Sequence, residues 1–208
     1  MPSGNIKSTP LYTIGYTGFS EAEGMASYLK TQKVDVLIDV RSSPYSSHFP
    51  QFNKENLQRV LKNSNIYYRN YAISFGARQE NHTFYRNGRL DFELYTKSEQ
   101  FIDGLAKVQN SVEKGYVLAL MCAEKDPLIC HRAIMISRIL HEDGYSIRHL
   151  RPDREEETHE DLEKRLVELY FPETNQLDLF SEPMSFEDKL KESYRLQNDI
   201  IGFQEGNL

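Results

Sequence analysis

Cysteine is scarce in this chain of 208 residues, which has only Cys122 and Cys130. Two thiols cannot form the disulfide framework of a small secreted scaffold, and alone they cannot complete a zinc site. They are not spaced as Cys-x-x-Cys, which removes the thioredoxin-like signature. The Cys-to-Arg loop of cysteine phosphatases is missing as well. No apolar run approaches the length of a membrane span, and the opening MPSGNIKSTP lacks the apolar core of a secretory signal. The expected compartment is therefore the cytoplasm, with no membrane contact. There the two cysteines serve as thiols, metal ligands or redox partners rather than as a staple. Internal repeats are also lacking.

What is present is an uneven charge. Residues 1–150 carry 18 Lys+Arg against 15 Asp+Glu, and residues 151–208 carry 7 against 16, so the net −6 belongs to the tail. A mildly basic body can hold a phosphate locally, whereas the acidic tail cannot serve as a nucleic-acid arm. Composition shifts after Pro152. The expected organisation is a short N-terminal tail (1–10), an α/β domain (11–152) and an acidic helical appendage (153–208).

Apolar, β-branched runs predict strands at 11–14, 34–40, 66–71, 116–121 and 145–150. The run VDVLIDV at 34–40 is apolar almost throughout, as a strand buried on both faces must be. Helices are expected after Ser20 as N-cap, at 54–61 with Asn53 as cap, at 98–113, at 130–143 and at 185–200. The acidic run 153–171 reads as a further helix, packed on the body through Leu162, Leu166 and Leu169. Residues 72–94 have no clean period and read as an insertion or a long loop. Strands alternating with helices imply a single three-layer α/β domain with a mainly parallel sheet of about five strands.

Ligands of open parallel sheets bind at the carboxyl ends of the strands. The residues falling there are Gly15, Tyr16 and Thr17 after the first strand, Asp39, Arg41 and Ser42 after the second, and Cys122 and Glu124 after the fourth. Cys130, His131 and Arg132 lead into the next helix. Each has a plain structural explanation: turn glycines, an Asp39–Arg41 ion pair, a core thiol. Cys130 stands out through its expected place in the first helical turn, where free N–H groups, the helix dipole and Arg132 favour a thiolate.

Three mechanisms fit equally. A cysteine attacks, with Glu124 or His131 moving protons and Arg132 and Arg41 holding an anion. The two thiols cycle through a disulfide. Or Cys122, Cys130 and His131 bind a soft metal such as zinc or iron with a fourth ligand from elsewhere. No organic cofactor is implied.

Two further stretches suggest partners. Between 67 and 89, Tyr67, Tyr68, Tyr71, Phe75, Phe84 and Tyr85 interleave with Arg69, Arg78, Arg86 and Arg89. Rings beside guanidinium groups suit a single-stranded nucleic acid or a nucleotide, and equally suit a core with solvated arginines. In the tail, Gln176-Leu177-Asp178-Leu179-Phe180 resembles the Gln-Leu-x-Leu-Phe peptide by which bacterial replication and repair proteins dock on the DNA sliding clamp. The alternative is that Leu177, Leu179 and Phe180 cover the core of the appendage.

Several short motifs together resemble the bacterial family called domain of unknown function 488. They are TIGYTG at 13–18, DVRSSP at 39–44, PQFN at 50–53, FGAR at 75–78, GRLDFE at 88–93, and Cys122-Ala-Glu124 with Cys130-His131-Arg132, spread over about residues 11–150. The resemblance implies a compact α/β fold with shared polar residues near the two cysteines, and no settled activity. It also implies a basic residue where Ser47-His48 precede Phe49, a departure that weakens a phosphate role for that loop. The resulting expectation is an enzyme acting on a nucleotide or nucleic acid at the cysteine edge. The alternative is a binding module with structural cysteines.

Overall fold

The structure, a computed structural model, describes residues 9–172 and 184–205. The peptide containing Gln176, Leu177, Leu179 and Phe180 lies outside the described residues.

In chain order the elements are β1 (Leu11–Gly15), α1 (Ala22–Thr31), β2 (Val36–Asp39), α2 (Lys54–Asn63), β3 (Tyr67–Asn70), α3 (Ala72–Phe75), β4 (Tyr85–Arg86), β5 (Arg89–Leu90), α4 (Phe92–Tyr95), α5 (Glu99–Glu113), β6 (Leu118–Cys122), α6 (Arg138–Glu142), β7 (Ile147–Leu150), β8 (Glu156–Thr158), α7 (His159–Tyr170) and α8 (Phe186–Ile201). Six strands form one sheet in the order β3-β2-β6-β1-β7-β8, parallel except where β8 joins β7 antiparallel. The α/β reading holds.

All five residues of β1 and of β6 are buried, as strands covered on both faces require. Their side chains alternate between two cores. Leu11, Leu118 and Leu120 face Phe101 and Val108 of α5 and Leu162 and Leu166 of α7, whereas Tyr12, Ile14, Ala119 and Met121 face Met25 and Leu29 of α1 and Leu57 and Leu61 of α2.

This two-sided winding positions the site. From β1 the chain crosses to β2 over one face, and from β6 it crosses to β7 over the other. The connections therefore diverge between the adjacent strands β1 and β6, and it is at the carboxyl ends of such strands that open parallel sheets bind their ligands. Register there pairs Gly15 with Cys122.

Several local expectations are corrected. Ser20 does not cap α1, because Glu21 occupies the cap position without a side-chain bond. Asn53 does precede α2, but its Oδ1 accepts from Ser46 N at 2.6 Å and so ties the Ser/Pro loop instead. A sixth strand, β8, lies inside the acidic run read as helix. Arg154 turns the chain with a φ of 69°, and Arg148 pairs with Glu156 across the strands at 3.0 Å. Charged side chains at such an edge discourage pairing with other chains. Leu162 and Leu166 pack as expected, while Leu169 is exposed. The stretch 72–94, read as an insertion or a long loop, holds a small hairpin, β4–β5, turned at Asn87-Gly88 with φ of 53° and 74°. That Asn-Gly pair is the hairpin signal in the sequence. The helices α5 and α8 begin as predicted, with Ser98 and Ser185 accepting from the backbone N–H of Phe101 and Asp188.

Candidate functional site

Cys122 is the last residue of β6. The chain then folds back over the end of β1, makes a single 3-10 turn at Pro127–Ile129 capped by the Asp126 carboxylate, and reaches Cys130. The next helix begins at His131 and is a wide π-helix over Arg132–Ser137 before α6. Cys130 is thus not in the first helical turn. It is extended, with φ −133° and ψ 134°, and its carbonyl accepts from Ala133 and Ile134 as the helix starts. The wide turn is the kind of local distortion that recurs at functional sites.

Three soft donor atoms meet there. The thiols of Cys122 and Cys130 and a ring nitrogen of His131 all lie within 4.8 Å of one another, and all three residues are buried. Cys122 Sγ is 3.7 Å from His131 Nδ1, and His131 Nε2 is 3.0 Å from the Val40 carbonyl oxygen. A carbonyl only accepts, so Nε2 carries the hydrogen and, in the neutral ring, Nδ1 turns its lone pair to the thiols. Glu124 Oε2 stands 2.9 Å from Cys130 Sγ. The two thiols differ electrostatically. Neighbouring Cys130 and burial hold the Cys122 thiol well up. For Cys130, burial acts in the same sense, but Cys122, Arg132 and His131 overcome it and hold that thiol well down. Burial, then Cys130, raises Glu124.

Arg132, an expected anion contact, is fully buried, and its donors go to neutral oxygens. These are Thr13 Oγ1 at 3.3 Å, the Glu124 carbonyl at 2.7 Å and the Lys125 carbonyl at 3.5 Å. It pins the loop after β6. Thr17 pins the same loop from the other side, with Oγ1 and N both donating to the Ala123 carbonyl at 2.7 and 3.0 Å. Gly15 lies beneath, where a Cβ would sit 1.8 Å from the Glu124 carbonyl oxygen. Gly15→Ala is therefore expected to push the loop off the strand end and to cost about 1–3 kcal/mol, measurable as a lowered urea midpoint. An unchanged midpoint would show that the loop has slack.

Asp39 and Arg41 form the ion pair beside this loop. Arg41 Nε and Nη2 donate to the two Asp39 oxygens at 2.8 and 2.6 Å, and Tyr68 donates to Asp39 Oδ2 at 2.7 Å. Burial works against the Arg41 charge, and the bonds to Asp39 more than compensate. The remaining nitrogen, Arg41 Nη1, is enclosed and has no partner among the described residues. The guanidinium lies 5.0 Å from the centre of the Tyr16 ring, which stacks on Phe52. Ser42 Oγ accepts from Arg78 N at 2.8 Å and so holds the 75–78 loop.

The mixed aromatic and arginine stretch divides. Tyr68 and Phe75 are core, Phe84 packs edge-on to Tyr95, and Arg86 pairs with Asp91 at 3.3 Å. Tyr67 is exposed, with Arg69 stacked 5.9 Å above its ring.

Sequence reasoning missed one network. Tyr194 OH donates to Glu163 at 2.9 Å, so it accepts from His159 Nε2 at 3.0 Å. The same logic makes His159 Nδ1 accept from His149 Nε2 at 3.0 Å, and His149 Nδ1 accept from Thr13 Oγ1 at 2.8 Å. Thr13 in turn accepts from Arg132. One polarised chain thus runs from the cysteine loop through β1 and β7 to α7 and α8. Its histidines are held neutral, His159 down to about 3, chiefly by burial. These histidines carry no local motif, so only the tertiary fold reveals the chain.

Fold and site together define an open α/β protein with a buried cysteine–histidine cluster where its strand connections diverge. The chain belongs to the family described as Domain of unknown function DUF488, whose model matches residues 21–139. That span includes Asp39, Arg41 and the whole of 122–132, while the TIGYTG motif lies before it. Comparison with curated proteins and with solved structures gives no match. No helix among the described residues is long and apolar enough to cross a membrane.

Proposed function

We propose that this protein is an enzyme acting on a phosphate-bearing substrate of the nucleotide or nucleic-acid class at the carboxyl edge of its sheet. Cys122, Glu124, Cys130 and His131 form the reacting group, and Arg41 meets the anion. The observation that carries this reading is Arg41 Nη1, a buried cationic donor beside the cysteine loop that makes no geometrically formed hydrogen bond among the described residues, although the Tyr16 side chain also favours its charge. A buried donor without an acceptor costs about 1–3 kcal/mol, which an anionic oxygen would offset. Asp39 holds the other face of the guanidinium, so the group is oriented before the anion arrives.

Titration of AMP and of a short single-stranded oligonucleotide into wild-type and Arg41→Lys protein tests the reading. Lysine keeps the charge and loses the forked geometry. Affinity is expected to fall about tenfold or more, with unchanged circular dichroism. Equal affinities in the two proteins, or no binding by either, would remove Arg41 and this substrate class.

The peptide at 176–180 supports recruitment to DNA through a bacterial sliding clamp, with Gln176, Leu177, Leu179 and Phe180 as anchors; its support is the sequence match and its setting between Pro172 and Pro183. A sliding clamp is expected to retain the wild-type chain and to release a Leu179→Ala/Phe180→Ala variant. Equal retention of both would end that proposal.

A further inference from the structure

We infer that Cys122 Sγ, Cys130 Sγ and His131 Nδ1 bind one soft divalent cation of the zinc class, with Glu124 beside its fourth position. This rests on the proposed reading of the carboxyl edge as the working site and names the agent held there.

The first argument is spacing. Sulfur and nitrogen ligands at their usual distances from tetrahedral zinc stand about 3.6 Å apart. Cys122 Sγ and His131 Nδ1 are 3.7 Å apart, and all three donor atoms fit within 4.8 Å. The second is the support behind the ligand. A metal-binding histidine almost always fixes its other ring N–H on a carboxylate or a carbonyl, and His131 Nε2 is fixed on Val40. Val40 follows β2, which lies next to β6, so the two strands set the ring and Cys122 on one scaffold.

The third argument is charge. Arg132 is fully buried beside the two cysteines, and its hydrogen bonds go to neutral oxygens. Two cysteine thiolates and one divalent cation make a unit of no net charge, so the bound cluster adds no charge of its own to the buried site. Any proton still on either thiol leaves to solvent as the cation binds, and no electron is transferred. Three protein ligands leave a fourth position for water or substrate, as in catalytic rather than structural zinc sites. A carboxylate next to a Cys2His cation that does not ligate it is the arrangement in which a glutamate moves protons for metal-bound water. The Glu124 oxygen lies 2.9 Å from Cys130 Sγ, next to one of the ligand atoms.

Cobalt(II) titration of reduced, chelator-washed protein tests this, because cobalt–thiolate bonds give a charge-transfer absorption that other ligands do not. The inference expects saturation at one cobalt per chain and displacement by zinc. It expects the band to be lost in Cys122→Ser and in Cys130→Ser and kept in Glu124→Gln. It is overturned if the reduced wild-type protein gives no thiolate band, or if either single serine variant gives a band as strong as the wild type. Loss of the band in Glu124→Gln would overturn the three-ligand assignment. Should the serine variants fail to fold, the wild-type result still decides. AMP titration of the metal-free and cobalt-loaded protein keeps the two readings apart. Arg41-dependent binding without any cobalt site defeats only the metal, and a cobalt site without AMP binding defeats only the proposed substrate.

Discussion

Asp39→Asn is expected to lower stability by about 3–5 kcal/mol, the usual cost of breaking a buried ion pair from one side. Asp39 is fully buried and accepts from Arg41 Nε, Nη2 and backbone N and from the Tyr68 hydroxyl. Asparagine has one acceptor oxygen and turns an NH2 donor on groups that are themselves donors. The guanidinium, already one partner short, then loses its counter-charge in an enclosed position. Replacing both residues by apolar ones, Asp39→Leu with Arg41→Met, is expected to recover much of the loss because no charge stays behind. Urea unfolding of the three variants measures this. A single-variant cost below about 1 kcal/mol would mean that water reaches the pair and screens it.

The second large effect is acid sensitivity centred on His149 and His159. Both are neutral in the folded protein, pushed down first by burial and then by neighbouring cationic groups, His141 and Arg138 acting on His159. In the unfolded chain they titrate near about 6.5. Below that pH the unfolded state takes up protons that the folded state refuses, so stability falls with pH from about 6.5 toward the folded value of about 3 for His159. His159 removes about 1.4 kcal/mol per pH unit once well below 6.5, or about 2 kcal/mol by pH 5, and His149 acts in the same sense. Glu163, raised chiefly by burial, acts in the opposite sense as it protonates, so the comparison belongs between variants. His159→Gln should remove about half of the slope. An identical pH profile in that variant would mean that His159 is charged when folded.

The strand pattern was legible because burial on both faces leaves apolar runs such as 34–40, and the two cysteines stood out through their position at and after the end of β6. What stayed hidden depends on contacts distant in sequence. Glu156–Thr158 looks helical by composition and becomes a strand only because β7 offers an edge. Arg132 read as an anion contact because a guanidinium near a helix start usually is one, yet the carbonyls it serves belong to a loop shaped by Gly15 and Thr17. Leu128 accepts a hydrogen bond from Gln197, and Tyr194 ends the histidine chain, so α8 helps enclose the region behind the cysteines. An acidic amphipathic helix in sequence gives no sign of that role.

Under the proposed function Cys130 is a reactive centre and not an inert core thiol. Site-resolved alkylation of chelator-washed protein at neutral pH, compared with the rate of global unfolding, tests this most directly. Cys130 beside Glu124 is expected to react first, well ahead of Cys122 and faster than the protein unfolds, and Glu124→Gln is expected to slow it. Modification of both cysteines together, only as fast as the whole chain unfolds, would contradict the account.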